Sequence, residues 1–216
     1  MTLFSIPDLV ALAVFIAAWG GYSILIDWTR HGRKGLNSRM NAYRETWMRR
    51  MLARENRMVD MQIMAALQNG TAFFASTSLI AVGGALTLLR STDDMIAIAS
   101  SLPLGISASR VLWEAKTVGL AVIFVYAFFK FAWAYRLYNY VAIMLGATPY
   151  MSEKDTAEAE THVMRTTRLF AAAGRHFNRG QRAFFFGLGY LGGFGGPYGF
   201  MATPAAVLVV PWRRQV

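Results

Sequence analysis

Residues 9–26 read LVALAVFIAAWGGYSILI, and residues 27–57 continue as DWTRHGRKGLNSRMNAYRETWMRRMLARENR. The first string carries no charged side chain. At about 1.5 Å per helical residue it is long enough to cross most of a hydrocarbon core of roughly 30 Å. The second string places Arg30, Arg33, Lys34, Arg39, Arg44, Arg49, Arg50, Arg54 and Arg57 directly behind it. An apolar run with a dense basic flank reads as a membrane span whose flank stays on the cytoplasmic side. Working outward, residues 72–89, 117–134 and 183–210 are further apolar stretches of spanning length. The expected fold is all-α: an integral membrane four-helix bundle, a single membrane domain over 1–216. Long helices are expected to extend into the cytoplasm at about 38–62 and 158–182.

Composition agrees. Charged residues make up 16% of the chain, where a soluble domain usually carries about 25%. The net charge of +10 sits beside apolar spans rather than on a soluble basic face. It therefore indicates anionic lipid headgroups and topology control, and no nucleic acid is expected as a partner. The chain has no cysteine, which excludes disulfides, thiolate metal sites and Cys-ligated iron–sulfur clusters.

The connectors set the orientation. Residues 1–8 contain no Lys or Arg, so they lack the basic start of a cleavable leader, and the first span is expected to remain as an anchor. The connector between spans two and three holds only Arg90, Arg110 and Lys116, against Asp93, Asp94 and Glu114. Basic residues return after span three at Arg136, Lys154, Arg165, Arg168, Arg175, Arg179 and Arg182. The first and third connectors are thus expected inside and the middle one outside, with both termini outside, in a bacterial inner membrane. Arg213 and Arg214 run against this pattern.

Several segments invite a closer reading. Met40, Tyr43, Trp47, Met51, Met58 and Met61 recur at helical spacing with Arg between them. That basic amphipathic helix could lie in the headgroup plane or continue into span two. The absence of Pro from 37 to 89 favours one continuous helix. No Pro falls between Arg110 and Ala147 either, so span three has helix to spare, and 137–145 is expected to protrude or bend along the surface. Residues 93–110 are apolar but too short to cross, which suits an interfacial helix or shallow lid. In the fourth stretch, Gly189/Gly193, Gly192/Gly196 and Gly195/Gly199 have the small-xxx-small spacing of closely packed membrane helices. Pro197 should interrupt that helix. A broken helix lining a substrate path and a re-entrant hairpin are alternative courses.

Chemistry-bearing patterns are sparse. His31, His162 and His176 all fall outside the spans, so bis-histidine haem ligation is not expected, although His162 and His176 could share a helix face. No HExxH, P-loop or GxSxG string occurs. No cofactor and no metal are expected. Lys130 falls inside the third apolar run, where it either snorkels to the boundary or faces an anionic ligand. Gln68, Asn69, Thr71, Asn139 and Asn178 suit interhelical hydrogen bonds near the inner boundary.

The strings Arg54-Glu55-Asn56-Arg57, Phe74-Ala75-Ser76-Thr77, Leu112-Trp113-Glu114-Ala115-Lys116, FVYAFFKFAWAYRLYN at 124–139, and Asn178-Arg179-Gly180 with Arg182-Ala183-Phe184-Phe185-Phe186 occur together here. In these the chain resembles the uncharacterised bacterial and plant membrane family catalogued as domain of unknown function 599. The resemblance runs from the first span to the start of the fourth and weakens beyond Phe186. It implies a multi-span membrane protein and no particular reaction. The candidate lipid- or ligand-binding residues are Arg54, Glu55, Arg57, Lys130, Arg136, Asn139, Asn178, Arg179 and Arg182, with Arg57 and Arg179 expected to meet Glu55 or Asp60. They form either a clasp joining the helix bases or a pocket for an anionic headgroup. The functional expectation is a non-catalytic accessory or scaffolding protein that binds membrane lipids and other membrane subunits, as a homo-oligomer or within a larger complex. A small transporter or channel is the alternative, and an enzyme acting on lipid headgroups a third.

Overall fold

The computed structural model describes residues 6–28, 35–101, 109–196 and 200, and these are almost entirely helical. Six α-helices occur among them: α1 (Ile6–Trp28), α2 (Leu36–Leu52), α3 (Met58–Arg90), α4 (Thr92–Ser101), α5 (Arg110–Gly146) and α6 (Ala157–Tyr190). Two 3-10 turns, Met151–Glu153 and Leu191–Gly195, complete the order. Helices α1, α3 and α5 are long and apolar enough to cross a membrane, each with a stretch of mean hydropathy 1.8. Their starts and stops follow local chemistry. Thr156 Oγ1 accepts the Ala159 amide at 3.2 Å and caps α6, whose first turn carries Glu158 and Glu160 at the positive end of the helix dipole. Arg49 and Arg50 occupy the last turn of α2, at the negative end.

The expected continuous helix over 38–62 is broken. Helix α2 stops at Leu52 and α3 starts at Met58. Neither Pro nor Gly causes this. Asn56 Oδ1 accepts the Met58 amide at 2.9 Å and opens α3, while Asp60 in its first turn reaches back to Trp47 and Arg54. Side chains from both sides of the turn therefore make the break more stable than continued helix. The fourth stretch also departs from expectation. Its α-helix ends at Tyr190, ahead of Pro197, and continues as the 3-10 turn to Gly196, whose φ of +103° only glycine adopts readily. Gly189 thus closes an α-helix while Gly192, Gly193 and Gly195 lie in the tighter turn, so the four-residue spacing no longer defines one helix face. Gly199 and residues 201–216 lie outside the described residues, as does His31.

Helix α5 runs unbroken over the full length expected, and its terminal part is packed rather than free: Leu137, Val141 and Leu145 are buried. Helix α4 occupies the apolar segment after span two.

The chain divides into two compact units. Unit 1 comprises Met1–Thr29, Thr77–Ala127 and Gln181–Val216; unit 2 comprises Arg30–Ser76 and Phe128–Gly180. The core of unit 1 is aromatic. Phe15 meets Phe186, Tyr190 and Phe200 at centroid distances of 5.8, 5.2 and 5.2 Å, with Leu120, Ile123 and Phe124 around them. Unit 2 instead buries Met48, Met51, Met64, Val141, Leu145, Val163 and Phe170.

Candidate functional site

Most polar residues of the family strings converge in unit 2, and many are spent on joining its elements. Asp60 is fully buried, and its Oδ1 accepts from Trp47 Nε1 at 2.6 Å and Arg54 Nη1 at 2.7 Å. Arg57 reaches the chain beyond α5, donating to the carbonyls of Thr148 (2.9 Å) and Pro149 (2.6 Å). The partner of Asp60 is thus Arg54 rather than Arg57, and Glu55 is exposed. Gln68 Nε2 donates to Asn139 Oδ1 at 2.6 Å, tying α3 to α5, and Asn178 Nδ2 donates to Asn37 Oδ1 at 2.9 Å, tying α6 to α2. Thr71 bonds back to its own helix at Leu67, and Asn69 is exposed.

A second group is cationic. On α6, Arg175, His176 and Arg179 share a face by their three- and four-residue spacing. The His176 ring lies 6.3 Å from Trp133 of α5. Burial pushes the His176 imidazole below its ordinary value, and the charges acting on it, Lys130, Arg179 and Arg175, push the same way. Its Nδ1 is enclosed without a hydrogen-bond partner. The Arg136 guanidinium lies 5.7 Å from the Trp133 ring and 5.6 Å from Tyr140, and its Nε donates to the Tyr140 hydroxyl at 2.8 Å. Trp133 and Tyr140 remain 49% and 40% exposed. Arg182 belongs instead to unit 1, where its charge acts on Tyr22.

His162 and His176 have separate surroundings. His162 Nε2 lies 3.0 Å from the Met144 carbonyl, which can only accept, so this nitrogen carries the proton. Among the described residues no three His, Cys, Asp or Glu side chains gather as a metal site would require.

Two features escaped the sequence reading. In unit 1, Lys116 and Asp8 form an ion pair at 3.4 Å with only 12% of either side chain exposed, and Lys116 also donates to the Gly193 carbonyl at 2.9 Å. Gly193 thus anchors a cation through its backbone. In unit 2, a Cβ on Gly180 would fall 2.8 Å from the Phe131 ring, which is held between Phe74 and Phe177. Close approach in unit 2 depends on this glycine, outside the cluster singled out from sequence. Its signal was the position of Gly180 on a long helix opposite an aromatic-rich one.

The family model described as "Protein of unknown function, DUF599" matches residues 10–216, and the chain belongs to that family. The match includes the glycine-rich stretch beyond Phe186. No curated protein and no solved structure matches the chain.

Proposed function

We propose that this member of a family without assigned activity is a non-catalytic accessory or scaffolding membrane protein, binding lipid and other membrane subunits. In this reading α1, α3, α5 and the stretch 183–210 form a four-span bundle. Basic unit 2 faces the cytoplasm, both termini lie outside, and the chain works as a homo-oligomer or within a larger complex. The observation that carries the reading is how the family-string polar residues are used. Arg54, Arg57, Asn139 and Asn178 are all committed to hydrogen bonds that join elements of unit 2. Groups fixed this way set helix register; a proton-transferring pair would have to reach a substrate. The spanning helices also offer broad apolar faces, with Phe73, Ile80 and Val122 exposed by 64%, 74% and 61%. Such faces suit lipid or neighbouring helices. Purification in mild detergent followed by mass spectrometry tests the reading. Further copies or membrane proteins should be retained together with lipid, and a bare, delipidated monomer contradicts it.

A second reading, a small transporter, is favoured by one observation: the enclosed Lys116–Asp8 pair beside a carbonyl of a broken helix. Ionisable residues and unwound carbonyls of this kind line ion paths in transporters. Proteoliposomes with an entrapped pH-sensitive dye decide it. Proton or cation flux that is lost in Lys116→Met supports transport, and vesicles as tight as protein-free ones oppose it.

A further inference from the structure

We propose that the outer face shared by α5 and α6 in unit 2 docks an acidic amphipathic helix of a partner protein. The proposal rests on the scaffold reading and names the chemistry of what is held. Two contacts set the face. Trp133 meets His176 at a ring distance of 6.3 Å, and the Met144 carbonyl accepts from His162 Nε2 at 3.0 Å, so the two helices run antiparallel side by side. On α5, Trp133, Arg136, Tyr140 and Ile143 follow at three- and four-residue intervals and are all exposed, Ile143 by 66%. On α6, Arg165 and Arg168 are exposed and, among the described residues, in no ion pair. At the Ile143 end of the face, a cleft of about 370 Å³ opens between Met144, Thr161, His162 and Arg165, with Glu158 also on its wall. Such a cleft has room for one anchoring side chain of a partner.

Charge chooses the occupant. Unit 2 holds sixteen Lys and Arg against seven Asp and Glu. A second copy meeting this face about a twofold axis would bring two sets of these arginines together, which like-charge repulsion opposes. Lipid covers too little. Where α5 stands along the bilayer normal, Trp133 to Ile143 rises about 15 Å, while the headgroup layer on one side of a bilayer is only about 5–8 Å deep. An amphipathic helix covers the whole face. Its apolar side meets Trp133, Tyr140 and Ile143, and its carboxylates meet Arg136, Arg165 and Arg168.

The test uses the full chain in phosphatidylcholine nanodiscs, with empty nanodiscs as the blank. The probes are fluorescent helical peptides that share one apolar stripe and carry Glu, Gln or Lys on the polar side, plus a scrambled Glu peptide. Fluorescence anisotropy should rank the ordered Glu peptide tightest, about tenfold or more ahead of the Gln and scrambled ones. Arg165→Glu with Arg168→Glu should weaken it about tenfold and improve binding of the Lys peptide. Ile143→Ser, at an exposed position where folding is not at stake, should weaken it about threefold or more. Arg39→Glu with Arg50→Glu makes the same charge change at exposed positions of α2 and should leave binding unchanged. Equal binding of the scrambled peptide, equal loss in the α2 variant, or no binding by any peptide overturns the proposal. So does tighter, Arg165- and Arg168-dependent binding of single-stranded RNA or of phosphatidylglycerol nanodiscs. Retention of membrane proteins in mild detergent is a separate readout, so the scaffold reading stands or falls independently of this face.

Discussion

In unit 1 the interior is a set of interlocked rings around Phe15, with an enclosed ion pair between Lys116 and Asp8. In unit 2 a core of Met, Leu, Val and Phe is crossed by polar ties: Asp60 to Trp47 and Arg54, Gln68 to Asn139, Asn178 to Asn37. The charge follows the same division. Only Arg90, Arg110, Lys116, Arg182, Arg213 and Arg214 among the Lys and Arg residues belong to unit 1. Helices surrounded by lipid gain no hydrophobic free energy by associating, so ring shape and van der Waals contact must hold them. Helices meeting water gain from burying Met and Phe, and directional hydrogen bonds then fix their register. On the proposed reading, the contrast corresponds to unit 1 lying in lipid and unit 2 meeting an aqueous or headgroup environment.

The largest test of that contrast is a matched pair of truncations. Phe170 and Phe15 are both 2% exposed. Phe170→Ala should cost about 3–5 kcal/mol in unit 2, as for a buried aromatic in a water-facing core. Phe15→Ala should cost less, since detergent or lipid chains compensate the lost apolar surface. Thermal unfolding followed by helical circular dichroism measures both, and equal losses would break the distinction. Next comes Asp60→Ala, which strands the Trp47 indole N–H and Arg54. We expect a loss of about 2–3 kcal/mol, below that of a fully buried pair because Arg54 is 45% exposed. Asp60→Asn should recover part of it by keeping an acceptor.

Gly180→Ala should cost about 1–3 kcal/mol by driving a methyl into the Phe131 ring, with the loss reduced in combination with Phe131→Leu. A smaller effect is expected from pH. The His176 pKa is depressed in the folded chain, so its neutral form is preferred there and no contribution changes above the ordinary value of about 6.5. As the pH falls below about 6.5, the unfolded chain takes up this proton first. Stability then declines until the pH passes the depressed value. His176→Gln should remove this part of the pH profile. The smallest effect belongs to Glu160→Gln, which removes the exposed ion pair with Arg49. Its melting temperature should be unchanged within error, most clearly at high salt.

How much of this was legible in the sequence differs by element. The length of α5 followed from the absence of Pro between Arg110 and Ala147, and α4 from a short apolar run, because covalent and hydrophobic constraints act locally. The turn between α2 and α3 could not be read that way. It is set by Asp60 reaching Trp47, thirteen residues earlier, and the local string contains no strong breaker. The helix end at Tyr190 was obscured similarly: Pro197 drew attention, while Lys116 holds the Gly193 carbonyl from 77 residues away. Within the candidate site, Lys130, Arg136 and Arg179 stood out as charges near an apolar boundary. His176 stood out only as a histidine that could share a helix face with His162, and its contact with Trp133 was not legible, because it depends on how α5 and α6 meet.

Side-specific labelling tests the central claim most directly, and the natural absence of cysteine makes it free of background. Asp94 on α4, Ser152 in unit 2 and Ile80 on α3 are all exposed in the structure. Each is replaced singly by Cys, and bacterial cells expressing the variant are treated with a membrane-impermeant maleimide. The account predicts that Asp94→Cys reacts in intact cells, that Ser152→Cys reacts only after permeabilisation, and that Ile80→Cys resists in both. Labelling of Ile80→Cys as fast as that of Ser152→Cys, or of Ser152→Cys in intact cells, would contradict it.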